Sequence, residues 1–475
     1  MNILLINPID RITSGGAIRF PLGLAYISDA LSKNGHKVEI LDLAVRDWNL
    51  QSLEDEIRKY SHIKAIGLTG LITEYNNIRE ISALLKKHFP EKPIILGGAL
   101  ATSMPAKLMK NSSVDIIVAG EGEVTAKELF EKLEKGEDIS DVRGIFFRKN
   151  KEIIYTGARQ PLPDLDMFGY PSRLGFKIEE YFTNSPLSMF GSKRTLNMIT
   201  SRGCPYGCVY CDKSLWGSIY RARGPKDILG EIKYLYESFN IDSIIFHDDT
   251  FNLKKERVFE LCDLLISSKF RINWLANCRA NLITLEMAKK MRLAGCRIIA
   301  YGIESGNQNI LDSMKKNIQL NEAREAITNT WQAGIIPFAY LMIGWFNETR
   351  EQVLDTINFC INNRIKGDFS FFTPLPNTSS FIQIQSMGNH MLDVERILAN
   401  WGRWHKHIMI NVSAMNDEEL ISLKEYAERK IFWSCLMQNA LLYIKAMGIF
   451  CFTREMIRRI IYFNRNGFTL RVERL

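Results

Sequence analysis

The chain has 475 residues and a formal net charge of +8, from 61 Lys and Arg against 53 Asp and Glu. This length predicts two or three domains, and the hydrophobic fraction of 46% is typical of a soluble globular protein. The modest charge neither demands nor excludes an anionic partner. No stretch offers the roughly 20 uninterrupted apolar residues of a spanning helix. The N-terminal run MNILLINP lacks the basic flank of a signal peptide and indicates a strand.

Residues 1–140 alternate short apolar runs with amphipathic stretches. The runs NILLIN, KVEILDL, KAIGLTG, KPIILGG and DIIVAGEGE are rich in β-branched residues, and Gly or Pro closes most of them. Five such βα units predict a parallel, doubly wound α/β sheet of the Rossmann type. Ligands on such sheets bind at the carboxyl ends of the strands.

A second α/β segment follows a short connection. Residues 141–194 begin with a predicted hairpin and continue as a proline-bearing linker or packed loop. Between 195 and 388 six strands alternate with helices and predict a partial (β/α)6 barrel of the TIM type. In barrels the chemistry gathers on the loops that follow the strands. The helical pattern of residues 389–475 predicts a C-terminal helical module.

Three of the nine cysteines lie within eight residues, directly after the predicted strand TLNMIT: Cys204, Cys208 and Cys211. The first 203 residues contain no cysteine, and the other six are scattered singly. This usage excludes a secreted disulfide framework and fits a reducing cytoplasm. Three thiolates on a [4Fe–4S] cluster leave one iron free for a substrate, whereas structural zinc needs a fourth ligand, and the next candidates are His247 and Cys262. Zinc completed from a distance and three buried thiols are the alternatives.

The pattern C-x3-C-x-aromatic-C, with Tyr210 before Cys211, resembles the signature of the radical S-adenosylmethionine (SAM) superfamily. The resemblance implies that Cys204, Cys208 and Cys211 hold a [4Fe–4S] cluster whose open iron chelates the amino and carboxylate groups of SAM, close to Tyr210. One electron, from a donor such as flavodoxin or ferredoxin, would then cleave SAM into methionine and a 5′-deoxyadenosyl radical.

Two later segments resemble the SAM-binding segments of that superfamily. The stretch GIESG places Glu304 near the ribose or amino group of SAM, and a carboxylate in a capping network is the alternative reading. The stretch YLMIGWFNET is similar to the GxIxGxxGE segment that packs near adenine, which implies SAM contacts for Ile343 and Gly344. Asn347 replaces a usual Gly there, and Asn tolerates left-handed backbone better than most residues.

Two further elements resemble those of cobalamin-linked members. The stretch FHDDTFN places His247, Asp248 and Asp249 at the end of the second barrel strand. These three side chains either line the site or form a satisfied polar turn. The stretch TPLPNTSSF looks like a P-x-P-G-T element, with Asn377 where Gly is usual.

The N-terminal domain resembles the cobalamin-binding domain of the same branch. Matching features are INP after strand one, a threonine ending strand three, GGALAT after strand four and GEGE after strand five. Glycines at strand ends let backbone approach a flat corrin ring or its nucleotide tail, although Gly-Gly is also common at βα turns. The resemblance implies cobalamin contacts at Pro8, Thr69, Gly97, Gly98, Gly120, Glu121 and Gly122.

One departure concerns the lower face of cobalt. Many cobalamin domains carry D-x-H-x-x-G after strand one, whereas DRITSG here has Asp10 and Gly15 but Ile12 at the His position. The resemblance then implies a base-off cobalt whose lower face meets water, an apolar side chain or nothing. A sister family, the methylthiotransferases, is excluded because no cysteine for a second cluster precedes Cys204.

The C-terminal module carries the segment WGRWHKH, with Trp401, Trp404, His405 and His407. Such aromatic residues more often pack at a domain junction than contact a cofactor. The apolar stretch 431–452 is interrupted by polar residues, so a helix that covers the barrel is favoured over one that lies on a membrane.

Together these resemblances imply a cytoplasmic, cobalamin-dependent radical SAM methyltransferase acting on an unactivated carbon of a small-molecule or lipid-like substrate. The radical would abstract hydrogen, methylcobalamin would deliver the methyl group, and a second SAM would remethylate the reduced cobalamin. A radical cyclase or rearrangement enzyme is the first alternative. A non-catalytic cobalamin sensor is the second, and the intact cysteine triad argues against it. No focused basic-aromatic stripe indicates nucleic-acid binding.

Overall fold

The computed structural model describes residues 1–9, 18–182, 185–387 and 407–449, together with 397, 452 and 453. Asp10, Ile12, Gly15, Trp401, Trp404 and His405 lie outside the described residues. Two compact units are formed. The first comprises Met1–Tyr181, Cys211–Arg221 and the described part of Leu375–Arg403. The second comprises Phe182–Tyr210, Ala222–Pro374 and the described part of Trp404–Leu475.

Seven strands of the first unit form one sheet: β1 (Asn2–Asn7), β2 (Lys37–Asp42), β3 (Ala65–Thr69), β4 (Ile94–Gly97), β5 (Ile116–Val118), β6 (Ile145–Lys149) and β7 (Glu152–Tyr155). Their order is β2-β1-β3-β4-β5-β6-β7. Strands β1 to β5 pair in parallel, and β6 and β7 add an antiparallel hairpin at the edge. The predicted doubly wound parallel sheet and the expected hairpin are confirmed.

Six helices connect and cover these strands: α1 (Leu22–Lys33), α2 (Leu50–Ile57), α3 (Tyr75–His88), α4 (Ala99–Ser103), α5 (Pro105–Asn111) and α6 (Gly122–Lys135). Strand β1 is almost wholly buried from Ile3 to Ile6, as expected of a parallel strand with both faces covered. The chain passes from β1 to β2 on one side and then to β3 on the other. The carboxyl ends of β1 and β3 therefore form the topological switch point, where such sheets bind ligands.

The remaining strands are β8 (Thr195–Met198), β9 (Ser201–Arg202), β10 (Arg221–Ala222), β11 (Ser243–Phe246), β12 (Asn273–Cys278), β13 (Cys296–Glu304), β14 (Ile336–Ile343) and β15 (Lys366–Phe371). Six of them form a sheet in the order β15-β14-β13-β12-β11-β8, and every neighbouring pair is parallel. These are the six strands that the apolar runs after residue 195 predict.

The later helices are α7 (Pro225–Phe239), α8 (Lys255–Ser267), α9 (Leu285–Leu293), α10 (Gln308–Ser313), α11 (Leu320–Gln332), α12 (Arg350–Asn362), α13 (Ser379–Ser386) and α14 (Asp417–Met447). Short 3-10 helices occupy Arg58–Tyr60, Ile72–Glu74, Asp166–Phe168, Ile178–Tyr181, Pro186–Phe190 and Ala280–Leu282. Helix α13 belongs to the first unit, and α14 packs on α12, β14 and β15 of the second. None of the helices in the described ranges is long and apolar enough to cross a membrane. His407, the described member of WGRWHKH, is exposed.

Candidate active site

The three clustered cysteines lie on the loop that follows β8 and β9, at the carboxyl edge where barrel chemistry is expected. Cys204 and Cys208 are half-buried, Cys211 is exposed, and none of the three forms a disulfide. The neck of the loop closes through the backbone N–H of Arg223, which donates to the carbonyl of Thr200 at 2.9 Å. The loop therefore projects from a fixed base.

A buried carboxylate holds this base in place. Asp248, which is 1% exposed, accepts hydrogen bonds from the backbone N–H of Thr200 at 2.6 Å and the hydroxyl of Ser201 at 2.7 Å. Arg257 donates to the carbonyl of Thr200 at 2.9 Å. Asp248 thus has the contacts of a satisfied polar turn, while its neighbour Asp249 is exposed.

The middle of the cysteine loop is seated on other parts of the second unit. The backbone N–H of Val209 donates to the carbonyl of Met314 at 3.1 Å. The guanidinium of Arg279 lies 3.5 Å from the ring centroid of Tyr206 and donates to the carbonyl of Asn317 at 2.8 Å. A cation over an aromatic face is attractive and fixes the ring. These contacts orient the backbone between the first and third cysteines.

Thr250 brings the FHDDTFN stretch to the first cysteine. Its hydroxyl oxygen lies 3.6 Å from the sulfur of Cys204. Backbone at the end of β11 is also tied to β8, since the N–H of His247 donates to the carbonyl of Met198 at 2.8 Å. The end of β11 therefore positions one hydroxyl against the cysteine loop.

Two predicted SAM residues are joined by a lysine that sequence reasoning missed. The ammonium of Lys316 lies 2.9 Å from a carboxylate oxygen of Glu304 and 3.0 Å from the hydroxyl of Tyr210. The Lys316 and Glu304 side chains are only 11% and 12% exposed. We call this set of three the Lys316 bridge. The dipeptide KK in the sequence gives no sign of it, because only the fold places Lys316 beside Glu304.

Backbone geometry at the end of β13 makes the Lys316 bridge possible. Glu304 has φ +66°, and the register with β14 shifts between Gly302 and Glu304. A Cβ at Gly302 would lie 2.6 Å from the Glu304 carboxylate and 2.9 Å from the Lys316 ammonium, so a side chain here would displace the ends of these two residues. A strained residue of this kind is characteristic of functional sites.

The Lys316 bridge continues to the loop after β14. The ring of Tyr210 meets Trp345 edge-on, with centroids 6.1 Å apart, and the indole N–H of Trp345 donates to Ser313 at 2.8 Å. Ile343 is fully buried, and its carbonyl accepts from Phe372 at 2.8 Å. Trp345, and not the side chain of Ile343, therefore faces Tyr210, and the SAM contact of Ile343 stays a prediction.

A buried glutamate holds the β14–α12 loop in shape. Glu348, 1% exposed, accepts from the backbone N–H groups of Gly344 at 2.7 Å and Trp345 at 3.2 Å. Burial raises its pKa to about 7, although the two hydrogen bonds oppose this shift. Gly344 has φ +90°, and Asn347 has φ +52°, as expected for an Asn in the place of Gly. Gly344 is a buried member of this loop, and its SAM contact stays a prediction.

The first unit gathers its predicted cobalamin residues at one edge of the sheet. Gly98 has φ +91°, and a Cβ there would lie 2.9 Å from the hydroxyl of Thr69. The hydroxyl of Thr102 donates to the carbonyl of Gly98 at 2.9 Å and accepts from the N–H of Gly120 at 3.0 Å. The ends of β3, β4 and β5 are thereby brought together.

Part of this edge is bare backbone, which suits a flat ligand. A Cβ built on Gly97 or Gly120 meets nothing within 4 Å, so both glycines face open space. Glycine permits close approach of a ligand to backbone. We call Gly97, Gly98 and Gly120 the glycine edge. Its geometry fits a corrin ring or its tail.

Other predicted cobalamin residues have partners within the unit. The carbonyl of Pro8 accepts from Asn77 at 3.3 Å, at the switch point. Glu121 precedes α6, and its carboxylate forms a nearly buried ion pair with Arg221, with an N–O distance of 2.9 Å. A Cβ at Gly122 would lie 2.8 Å from Ile27, which shows that this glycine packs α6 on α1.

The cysteine loop fits an iron–sulfur cluster by its donor type. Three thiols that form no disulfide provide the ligands that such clusters use, and a set of three leaves an open position. Within the described ranges no three His, Cys, Asp or Glu side chains are already gathered around a metal-sized point. The assignment of Cys204, Cys208 and Cys211 as ligands therefore rests on their spacing and accessibility.

Two family models match the chain. Residues 11–130 match the B12 binding domain, and residues 198–360 match the radical SAM superfamily. The first range contains the glycine edge, and the second contains the three cysteines and the Lys316 bridge.

Curated relatives cover most of the chain. An uncharacterised methyltransferase of Pyrococcus horikoshii is 28% identical over 412 residues, which span 85% of this chain and 86% of that protein. The anaerobic magnesium-protoporphyrin IX monomethyl ester cyclase of Synechocystis is 27% identical over 359 residues, spanning 74% of this chain and 70% of that protein. Both a methyltransferase and a cyclase are thus among its relatives.

Solved structures show the same fold. The radical SAM methyltransferase TsrM of Kitasatospora setae, with tryptophan and a SAM analogue bound, has a TM-score of 0.70 at 19% identity, covering 82% of this chain and 77% of that one. The cobalamin-dependent SAM radical enzyme OxsB, with aqua-cobalamin and SAM bound, has a TM-score of 0.72 at 17% identity, covering 98% and 75%. At such identities the likeness concerns the fold. The chain thus has an N-terminal B12-binding domain and a radical SAM domain, and it is an enzyme whose cofactors are a [4Fe–4S] cluster, SAM and cobalamin.

Proposed function

We propose that this protein is a cobalamin-dependent radical SAM methyltransferase that methylates an unactivated carbon of a small-molecule or lipid-like substrate. The observation that carries the proposal is the set of three cysteines after β8, none of them in a disulfide, in a chain whose preceding sheet has a glycine edge. When bound, the cofactors supply reductive cleavage of SAM and transfer of a methyl group, and the protein supplies binding, orientation and exclusion of water.

The chain contributes cluster ligands and a fixed frame around them. Cys204, Cys208 and Cys211 would hold the three coordinated irons. The contacts of Val209 and Tyr206 keep the loop backbone in one conformation. Ligands held in advance lose less conformational freedom on binding, which favours a single cluster geometry.

The Lys316 bridge would bind the polar end of SAM. Glu304 provides an acceptor for the amino or ribose groups, and Lys316 keeps that carboxylate oriented through a nearly buried ion pair. A paired carboxylate in low dielectric is held more firmly than an exposed one. Tyr210 shares the same ammonium and so relates the third cysteine to the SAM-binding carboxylate.

Cobalamin would lie on the glycine edge. Gly97 and Gly120 leave backbone open to a ligand, while Thr69 and Thr102 hold the neighbouring strand ends together. An electron donor such as flavodoxin or ferredoxin would reduce the cluster. The reducing cytoplasm suits this chemistry, and none of the eight cysteines within the described ranges forms a disulfide.

To test the proposal, anaerobically reconstituted protein is incubated with candidate substrates, dithionite and SAM carrying a deuterated methyl group. We expect a product heavier by one labelled methyl group, together with S-adenosylhomocysteine and 5′-deoxyadenosine. The Cys204→Ala/Cys208→Ala/Cys211→Ala variant should give none of the three while still binding cobalamin.

A radical cyclase is the second candidate, favoured by the 27% identity with the magnesium-protoporphyrin cyclase. The same assay separates the two. Formation of 5′-deoxyadenosine and a new ring, with no labelled methyl group in the product and no S-adenosylhomocysteine, would replace the methyltransferase proposal with a cyclase.

A further inference from the structure

A polar junction lies directly beside the third cysteine. Asp212 follows Cys211, and one of its carboxylate oxygens accepts from the hydroxyl of Ser103 at 2.7 Å. The other oxygen accepts from the backbone N–H of Ser214 at 2.8 Å. The amide of Asn377 donates to the carbonyl of Ser103 at 2.6 Å. Three distant segments of the first unit thus meet around the bond between Asp212 and Ser103.

Helix α4 connects this junction to the glycine edge. Its last residue, Ser103, is 4% exposed and bonds Asp212. The residue before it, Thr102, bonds both Gly98 and Gly120. Adjacent side chains on one short helix therefore hold the predicted cobalamin backbone and the neighbour of a predicted cluster ligand.

Asn377 explains a departure in the TPLPNTSSF stretch. It has φ +64°, a left-handed conformation that Gly would adopt without strain. Glycine has no side chain to donate, whereas the Asn377 amide bonds Ser103 and lies 3.4 Å from the hydroxyl of Ser214. The chain accepts a less favourable backbone residue and gains a bond at the junction.

We propose that Asp212 is a positioning residue that fixes Cys211 to α4, so that cobalamin on the glycine edge restrains the Cys211 thiol. The proposal rests on the proposed function, since it takes Cys211 as a cluster ligand and the glycine edge as the cobalamin site. A local role for Asp212 is the competing explanation, because Asp-x-Ser turns form without distant partners. Asp138 and Ser140 form such a turn on the surface, with the Ser140 N–H 3.2 Å from the Asp138 carboxylate and the ammonium of Lys149 3.5 Å from the same carboxylate.

The matched turn supplies the control. We compare Asp212→Ala with Asp138→Ala, and Ser103→Ala with Ser112→Ala, since the hydroxyl of Ser112 bonds only its own helix end, at the carbonyl of Leu108. Asp212→Asn is the conservative variant, because its amide can still bond both serines.

The readout is iodoacetamide alkylation of Cys211 in cluster-free protein, with and without cyanocobalamin, followed by peptide mass spectrometry. We expect cyanocobalamin to slow alkylation of wild-type Cys211 by about tenfold, the factor that one charge-assisted hydrogen bond provides. Asp212→Ala and Ser103→Ala should lose this protection, Asp212→Asn should retain most of it, and both controls should keep it. Cys208 serves as the internal reference.

Two results would overturn the inference. One is equal cobalamin protection in wild-type protein and in Asp212→Ala; the other is an equal loss in Asp138→Ala. An absorbance titration runs in parallel. Wild-type protein that fails to bind cobalamin in that titration contradicts the proposed function itself, whereas binding without protection of Cys211 contradicts only the role of Asp212.

Discussion

Gly97 and Gly98 are adjacent residues with opposite surroundings. A Cβ at Gly97 faces open space, whereas one at Gly98 would press on Thr69 in a left-handed conformation. We expect Gly97→Ala to leave the thermal midpoint unchanged and to weaken cobalamin binding by steric exclusion. Gly98→Ala should lower the unfolding free energy by about 1 kcal/mol or more, and with it the thermal midpoint. It should also weaken cobalamin binding. The control Gly23→Ala, on an exposed face of α1, should leave cobalamin binding unchanged and raise the thermal midpoint slightly, because alanine favours a helix more than glycine does. Unaltered cobalamin affinity in Gly97→Ala would show that the glycine edge is not part of the cobalamin site.

Lys316 and Lys315 offer a matched pair. Lys316 bridges Glu304 and Tyr210, while Lys315 is exposed. Lys316→Met should weaken SAM binding by at least about tenfold, because a nearly buried carboxylate loses its cation. Lys315→Met should bind SAM as the wild type does. Equilibrium dialysis of SAM against the reconstituted, unreduced protein measures this, and equal affinity in both variants would contradict the bridge.

Glu348 gives the protein a pH-dependent stability. Its pKa rises from an ordinary 4.5 to about 7 in the folded state because it is buried. The folded state therefore holds a proton that the unfolded state releases, so stability is greatest below 4.5 and falls as pH rises toward 7. This loss amounts to about 3 kcal/mol.

Denaturant unfolding between pH 5 and 8 checks this. Glu348→Gln should show a flatter pH profile than wild type, because the carboxyl group that titrates is gone. Its amide oxygen can still accept the two backbone hydrogen bonds, so the loop keeps its shape. Glu325→Gln, on an exposed face of α11, should follow wild type. Parallel profiles for wild type and Glu348→Gln would show that Glu348 does not titrate in this range.

Residue-level prediction succeeded where a side chain's chemistry is set by its neighbours in sequence. The cysteine spacing identified the loop, and the Asn347 preference for left-handed backbone is confirmed. Lys316 and Asp212 were missed for a physical reason. Their partners are 12 and 109 residues away in the chain, so only the folded backbone reveals them. The sequence shows that Asp212 follows Cys211, but it does not show the serine partner of Asp212 on α4.

At the scale of elements, the neck of the cysteine loop depends on one buried carboxylate. Asp248→Ala would leave the buried donors of Thr200 and Ser201 unsatisfied, at a cost of about 3 kcal/mol or more. We expect a lower thermal midpoint and less iron incorporated per chain. The exposed neighbour Asp249 is the control, and Asp249→Ala should fold and incorporate iron normally. Full iron content in Asp248→Ala would show that the loop needs no fixed neck.

The strands were predictable because apolar runs rich in β-branched residues have a short-range pattern. All six barrel strands and the first five strands follow the runs read from the sequence. The short 3-10 helices between 156 and 194 were not predictable from the sequence, since their turns depend on packing. Tyr181 illustrates this: its hydroxyl bonds Asp42, 139 residues earlier in the chain.

At the scale of the whole molecule, the segment Cys211–Arg221 and the described part of Leu375–Arg403 cluster with the N-terminal residues. Domain boundaries predicted at 140, 194 and 388 divide the chain into contiguous pieces, so they do not group segments that are distant in sequence. Within the first unit, Arg221 bonds Glu121 and Asn377 bonds Ser103, so each segment has a side-chain bond to the N-terminal residues.

The proposed function depends above all on the three cysteines holding a cluster that cleaves SAM. The most direct measurement is 5′-deoxyadenosine formed from SAM and dithionite by anaerobic, iron-replete protein, by mass spectrometry. We predict 5′-deoxyadenosine from the wild type and none from Cys204→Ala/Cys208→Ala/Cys211→Ala at equal cobalamin occupancy. Equal amounts from both proteins, or none from wild-type protein that holds a full cluster and binds SAM, would contradict the claim.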